Sequence, residues 1–235
     1  MKHALVILSL CVATTAVAHP VFSTTRAAAA ASQEVVLKVG HGCEGADTSK
    51  IELQIPEGVT AVRPMHAADF GKAVLTKDDT TGNVTAVTWA KADEDVLAED
   101  SHLYKFTVSL RLPERPFTRI FFPVIQTCRT SAGEDVVVEW TSADAGHGGH
   151  GGHGGHEGPN PAASLFLMPP VKPGWNRFTV NEHVHDLTVF DDALIVWSGK
   201  AAYSSNARTR ELISNEPDVQ SLAEIHPGME IWLKY

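Results

Sequence analysis

The sequence predicts a mainly β protein: an antiparallel β-sandwich of immunoglobulin or cupredoxin type, followed by a small β-rich C-terminal unit. Three observations predict it. Short runs rich in Val, Ile, Phe and Thr recur before residue 141, turn-forming clusters separate them, and hardly any long helical period interrupts them.

The runs are 33–39, 51–55, 84–89, 106–112, 120–125 and 136–140. Ile51-Glu52-Leu53-Gln54-Ile55 and Phe106-Thr107-Val108-Ser109-Leu110-Arg111-Leu112 alternate apolar with polar residues, the pattern of strands with one buried face. Pro56-Glu57-Gly58, Thr80-Thr81-Gly82-Asn83, the proline-flanked 113–116 and Ala132-Gly133 supply the turns. Ahead of the first run, 19–32 carries no amphipathic repeat, and its alanines at 27–31 read as a short helix or a flexible spacer. At 144–161 glycine is so dense that packing cannot repay its ordering, which predicts a flexible linker spanning about 20 Å. The domains expected are a sandwich over 19–143 and a second unit over 162–235, with strand-like 187–190 and 194–197, a short helix at 208–214 and an alternating strand in 228–235. That unit is small and has no cysteine, so it is expected to lean on the first sheet or on a partner.

Residues 1–18 have Lys2, an apolar run over 4–13, and small residues at Ala16 and Ala18, the pattern of a secretory leader. The run is about half what a bilayer crossing requires. An exported, periplasmic or extracellular chain beginning at His19, with no transmembrane segment, is expected. Losing the leader removes Cys11, and the remaining Cys43 and Cys128 are expected to form a disulfide in an oxidising compartment. The formal charge is −9, with 19 basic and 28 acidic residues spread along the chain, so no basic footprint exists for nucleic acid.

His19 as a mature terminus offers its amine and imidazole Nδ1 to one metal ion, a chelate suited to Cu(II). Pro20 has no amide proton to lose, so the next peptide nitrogen cannot join, and further ligands must come from elsewhere. A second metal signal is the tract His147, His150, His153 and His156, whose imidazoles at intervals of three suit collection of copper, nickel or zinc. In the last unit, His183 and His185 share one face if Glu182-His183-Val184-His185-Asp186 is extended, and His226 is available to complete a three-nitrogen zinc set. Trp175, Trp197, Tyr203 and Trp232 read first as core aromatics and second as a sugar-binding face. No Gly-x-Ser-x-Gly, phosphate loop or dinucleotide fingerprint is present.

Leu37-Lys38-Val39, Gly40-His41-Gly42-Cys43, Ile55-Pro56-Glu57-Gly58-Val59, Val87-Thr88-Trp89, Phe122-Pro123-Val124-Ile125-Gln126-Thr127-Cys128 and Val138-Glu139-Trp140 follow His19 in an order that resembles the YcnI family of exported copper-binding domains, over residues 19–142. The resemblance implies a β-sandwich with a single-histidine brace, in which the terminal His is joined by a carboxylate with a Trp close to the metal. Trp140 matches that Trp. The carboxylate does not match: Lys105 stands where the family's Glu precedes the strand at 106–112, and Ala68-Asp69-Phe70 replaces a Pro-Gly-Trp. A protonated lysine has no lone pair to give. His66 and His102 are the candidate replacements, and His41 beside Cys43 reads as structural.

The function expected is copper binding, in homeostasis or trafficking, with metal ions and other envelope copper-handling proteins as partners and no catalysis. The alternatives are a histidine-brace oxidase acting on an external polymer, which requires a second histidine beside the first, and an envelope interaction module without metal. Intact mass of the exported protein tests the premise: the expected mass is that of 19–235 less two hydrogens for the disulfide, and a mass that begins downstream of residue 19 removes the terminal chelate.

Overall fold

The computed structural model describes residues 19–143 and 160–235. The leader and the tract carrying His147, His150, His153 and His156 lie outside the described residues. In chain order the strands are β1 (Val21–Phe22), β2 (Arg26–Ala28), β3 (Ser32–Val39), β4 (Asp47–Gln54), β5 (Thr60–Pro64), β6 (Val74–Lys77), β7 (Val84–Ala90), β8 (Tyr104–Arg111) and β9 (Arg119–Phe122). They continue with β10 (Val124–Arg129), β11 (Asp135–Trp140), β12 (Ala163–Met168), β13 (Trp175–Thr179), β14 (Ile195–Ser198), β15 (Ala201–Tyr203), β16 (Gln220–Ser221) and β17 (Glu230–Lys234), with one helix, α1 (Ala207–Asn215), before β16.

Two sheets make the sandwich: β1-β3-β8-β5 and β11-β10-β4-β7-β6. The alternation read from the sequence sets their inner faces. In the first sheet Val35 and Leu37 pair with Val108 and Phe106, and in the second Ile51 and Leu53 pair with Trp89 and Val87. All eight are buried in one core, where Trp89 meets Phe106 across the layers with ring centroids 5.1 Å apart. The fold is therefore the predicted antiparallel β-sandwich.

Four readings of the sequence change. The run 120–125 is two strands: Pro123, lacking an N–H, ends β9, and the chain passes from pairing with β12 to pairing with β4 and β11. The alanine stretch is neither helix nor spacer. Arg26–Ala28 pairs in parallel with Phe166, Leu167 and Met168 of β12, and Ala27 and Ala29 are buried. Five residues are too few to hold an isolated helix, so ladder hydrogen bonds and burial decide the conformation. Residues 187–190, read as strand-like, form a 3₁₀ turn capped by the Asp186 carboxylate, which accepts from Thr188 N.

The second unit is the sheet β13-β17-β14-β15-β16 with α1, which is N-capped by Asn206 accepting from Arg208 N and Thr209 N. Sequence reading places 163–168 in this unit, yet β12 pairs with β9 and β2. Its alternation serves both cores: Ala163, Leu165 and Leu167 face the sandwich, while Phe166 enters the second core with Phe190. Phe117, from the loop before β9, also enters the second core, against Phe178 and Phe190. It holds a left-handed backbone (φ 65°) that a bulky residue adopts only when its surroundings fix it. Arg26 completes the junction by donating to the Val189 carbonyl (3.0 Å) and pairing with Asp192 (3.1 Å). The second unit leans on the first through these contacts.

Phe166 joins β12 to the second core, so Phe166→Ala is expected to destabilise the protein by about 3–5 kcal/mol. Urea unfolding followed by tryptophan fluorescence measures the change, and a loss under about 1 kcal/mol would show that the junction does not depend on this ring.

Candidate functional site

At one end of the sandwich the chain start meets the end of β11. Pro20 and Phe22 are buried and His19 and Val21 are exposed, as strand alternation dictates. Phe22 stacks edge-on against Phe122 (5.0 Å), which anchors β1 beside β3. His19 then stands over Trp140, ring centroids 6.5 Å apart and planes tilted by 39°. Trp140 is buried and its indole Nε1 donates to Gln126 Oε1 (3.2 Å), while Gln126 Nε2 donates to the His41 carbonyl (2.9 Å) and Thr48 Oγ1 (2.9 Å). The Trp140 ring is thus held by a satisfied polar chain from the Gly40-His41-Gly42-Cys43 loop.

That loop is fixed by its own geometry. Cys43 and Ala46 exchange backbone hydrogen bonds (3.1 and 2.8 Å) around Glu44 (φ 51°) and Gly45 (φ 85°), a two-residue turn that needs positive φ at both centres. A Cβ on Gly42 would lie 1.8 Å from the Ala46 carbonyl oxygen, so only glycine fits there. Cys43 and Cys128 form the expected disulfide, with Cα atoms 5.7 Å apart. His41 Nδ1 donates to the Gly42 carbonyl (2.6 Å).

Beneath the loop lies a buried charge pair that the sequence did not announce. The Lys91 and Asp47 side chains are 1% and 0% exposed and meet at 2.6 Å. Tyr104 accepts from Lys91 (2.7 Å) and donates to Asp47 (2.7 Å), and Leu97 N also donates to Asp47 (2.8 Å). Burial raises the Asp47 carboxyl, but Lys91, the Leu97 amide and Tyr104 outweigh it and hold it below the ordinary carboxylate value. The same burial, together with Asp47, pushes the Tyr104 hydroxyl well above the usual phenol range.

The residues that flank the tract of histidines pair with each other. Ser142 and Pro161 form a parallel bridge, Ser142 N donates to Asn160 O (3.0 Å), and Ala162 N donates to Ser142 O (2.9 Å). The ends expected about 20 Å apart are therefore adjacent, two residues beyond Trp140. Backbone pairing, which a composition-based estimate cannot include, closes them.

The candidate replacement ligands lie elsewhere. Lys105 is exposed and pairs with Lys38, which pairs with Val21, so β3 separates it from β1 by two strand spacings, about 10 Å. His102 stacks on Tyr104 (6.3 Å) and shares a hydrogen bond with Ser101. His66 borders a surface hollow with Asp69, Phe70 and Lys72. Among the described residues, no group of three or more His, Cys, Asp or Glu donors includes His19.

In the second unit His183, His185 and His226 do converge, around Glu224, which sequence reading missed. The signal was present: Glu224-Ile225-His226 repeats the polar-apolar-polar pattern of His183-Val184-His185. Burial raises the Glu224 carboxyl, and the surrounding imidazoles outweigh it and lower the net value. Trp175 and Trp232, read as core aromatics, instead lie on the outward face of the second sheet, beneath Lys234 and Arg177 respectively.

A disulfide-closed, immunoglobulin-like β-sandwich with a junctional C-terminal strand is the class this structure defines. The chain belongs to the family described as "Domain of unknown function (DUF1775)", which matches residues 19–167 and is the YcnI-like family of the resemblance. The match ends inside β12, the strand that both cores share. An uncharacterised protein from Nocardia farcinica with an immunoglobulin-like fold is 24% identical, with a TM-score of 0.50 over 64% of this chain and 98% of its own. A non-cellulosomal cohesin from Archaeoglobus fulgidus is 13% identical, with a TM-score of 0.31 over 54% of this chain and 92% of its own. No curated protein matches the chain. Among the described residues, no helix is long and apolar enough to cross a membrane.

Asp47 is ionised with a lowered pKa in the fold, so its contribution is full above the ordinary carboxylate range and is lost as pH falls below about 4. Asp47→Asn leaves Lys91 buried without its counter-charge and is expected to remove about 3–5 kcal/mol at neutral pH. Urea unfolding between pH 7 and pH 3 checks both points: the variant should be weaker at pH 7 and lose less on acidification.

Proposed function

We infer that this protein is an exported copper-binding domain of the DUF1775 family, holding Cu(II) at a mature terminus that begins with His19. The observation that carries this is the seating of His19 over Trp140, with the indole fixed by Gln126 and His41. An amine and Nδ1 from one residue form the chelate, and the tilted indole beside it shields one side of the ion from water. Because Pro20 is buried and has no N–H, the chain behind His19 is held back and cannot wrap the ion with successive amide nitrogens.

The junction of Ser142 with Asn160 and Pro161 supports a role for His147, His150, His153 and His156 in collecting ions. The residues that flank their segment, Ser142 and Asn160, pair with each other two residues beyond Trp140. The remaining ligand positions at His19 are then supplied by water or by this tract. Binding and transfer, rather than catalysis, fit a site with two fixed nitrogens and an open side. Partners are copper-handling proteins of the same compartment.

Isothermal titration with Cu(II) tests the terminal chelate on protein carrying His147, His150, His153 and His156→Ser together with His183→Ala and His226→Gln. The form beginning at His19 should bind one equivalent. One extra residue ahead of His19 converts the amine to an amide and should weaken binding at least about tenfold, a change of roughly 1.4 kcal/mol. Equal affinity of the two forms would refute the terminal site. Binding should also weaken on acidification, because both nitrogens must shed protons.

A further inference from the structure

Among the described residues, one group of His, Cys, Asp or Glu places three ligand atoms all within 4.8 Å of one another: His183, Glu224 and His226. Its origin is a single backbone pairing. Val184 and Ile225 form an antiparallel bridge and exchange hydrogen bonds of 2.8 and 2.9 Å. Both side chains are buried in the second core. Alternation then turns the flanking residues of each segment to the same outer face, with His183 opposite His226 and His185 opposite Glu224. Residues flanking a hydrogen-bonded pair form the closely spaced type of cross-strand pair, with Cα atoms about 4.5 Å apart. Four donor-bearing side chains are thereby delivered to one patch by two three-residue stretches.

The atoms meet at ligand spacing. Glu224 Oε2 lies 3.2 Å from His183 Nε2, and Oε1 lies 3.3 Å from His226 Nε2. Ligands about 2.1 Å from a tetrahedral ion stand about 3.4 Å from each other, so each carboxylate oxygen lies near ligand spacing from one imidazole nitrogen. His185 Nδ1 reaches the same Oε2 at 3.2 Å, and the His183 ring lies 3.7 Å from that of His185 and 4.5 Å from that of His226. Ion pairing alone does not account for three imidazoles on one half-exposed carboxylate. An exposed pair contributes about 0–1 kcal/mol, and protonating all three rings would set like charges side by side.

We propose that His183, Glu224 and His226 bind a divalent transition cation, Zn(II) or Cu(II), with His185 as the positioning residue that holds the Glu224 carboxylate. Two imidazoles and a carboxylate are a donor set for cations of intermediate softness, not for Ca(II) or Mg(II). The ligand side chains are 34%, 41% and 56% exposed, so the fourth position opens to solvent. The site is separate from His19 and does not rest on copper binding there.

The test uses the chain from residue 19 to 235 carrying His19→Ala and His147, His150, His153 and His156→Ser, which removes the donors of the preceding proposal. Calorimetric titration with ZnCl2, and separately with CuCl2 in a weakly chelating buffer, should show one equivalent of at least one cation, with a matching rise in thermal midpoint. Glu224→Gln and His183→Ala should each weaken binding by roughly 100-fold, and His185→Ala by about tenfold. Circular dichroism of the metal-free variants establishes that they are folded, and His226→Gln stands in for any that is not. Absence of stoichiometric binding of both cations, or binding unchanged in His183→Ala and His226→Gln alike, would overturn the site. Neither result bears on Cu(II) at His19, which is measured with His183 and His226 replaced.

Discussion

The structure depends on one strand that belongs to two cores. β12 hydrogen-bonds in parallel to β2 and antiparallel to β9, and the period of two along its backbone sends Leu165 and Leu167 into the sandwich and Phe166 into the second unit. A strand with both faces buried carries apolar residues without interruption, and Leu165-Phe166-Leu167-Met168 is such a run. Its pairing with β2 also orders the residues just after His19. Residues 19–28, the junction and the smaller sheet are therefore tied together, reinforced by Phe117 and by Arg26 across the same boundary.

The candidate copper end is assembled from segments far apart in the chain. His19 arrives with β1, Trp140 with β11, Gln126 with β10 and His41 with the loop after β3. Each contact is a modest one, and a neutral hydrogen bond contributes only about 1 kcal/mol. Convergence is secured by what surrounds them: a disulfide between Cys43 and Cys128, a turn that admits only glycine at Gly42, and the Asp47–Lys91–Tyr104 triad beneath it. A buried ion pair is weak evidence of stability but strong evidence of defined geometry, since neither charge tolerates loss of its partner.

The two metal proposals differ in how the donors are held. At His19 the donors are two nitrogens of one residue, so the site depends on where the chain begins. At His183, Glu224 and His226 they are set by a β-bridge whose central side chains are buried, so the site depends on the second core. The aromatic face of Trp175 and Trp232 lies in the same unit and on its outer side, each ring covered by one cationic side chain.

Sequence alone determined β3, β4, β7, β8 and β11, because alternation such as Ile51-Glu52-Leu53-Gln54-Ile55 is a local consequence of one buried face, whereas β1, β5 and β6 lie in no run read from it; it also anticipated the cysteine pairing, because Cys43 and Cys128 are the two cysteines after residue 18. It also supplied His19 and Trp140, through motifs in a fixed order, and the histidines at 183, 185 and 226, through residue type. Tertiary structure decided the rest. A parallel partner for Arg26–Ala28 lies about 140 residues away in β12, and no local pattern marks a pairing at that separation. The closed ends at Ser142 and Pro161, the burial of Asp47 against Lys91, and Glu224 among three imidazoles are likewise registers between distant segments. Local period fixes which way a side chain points, whereas its neighbour across the gap is fixed only when the strands pair.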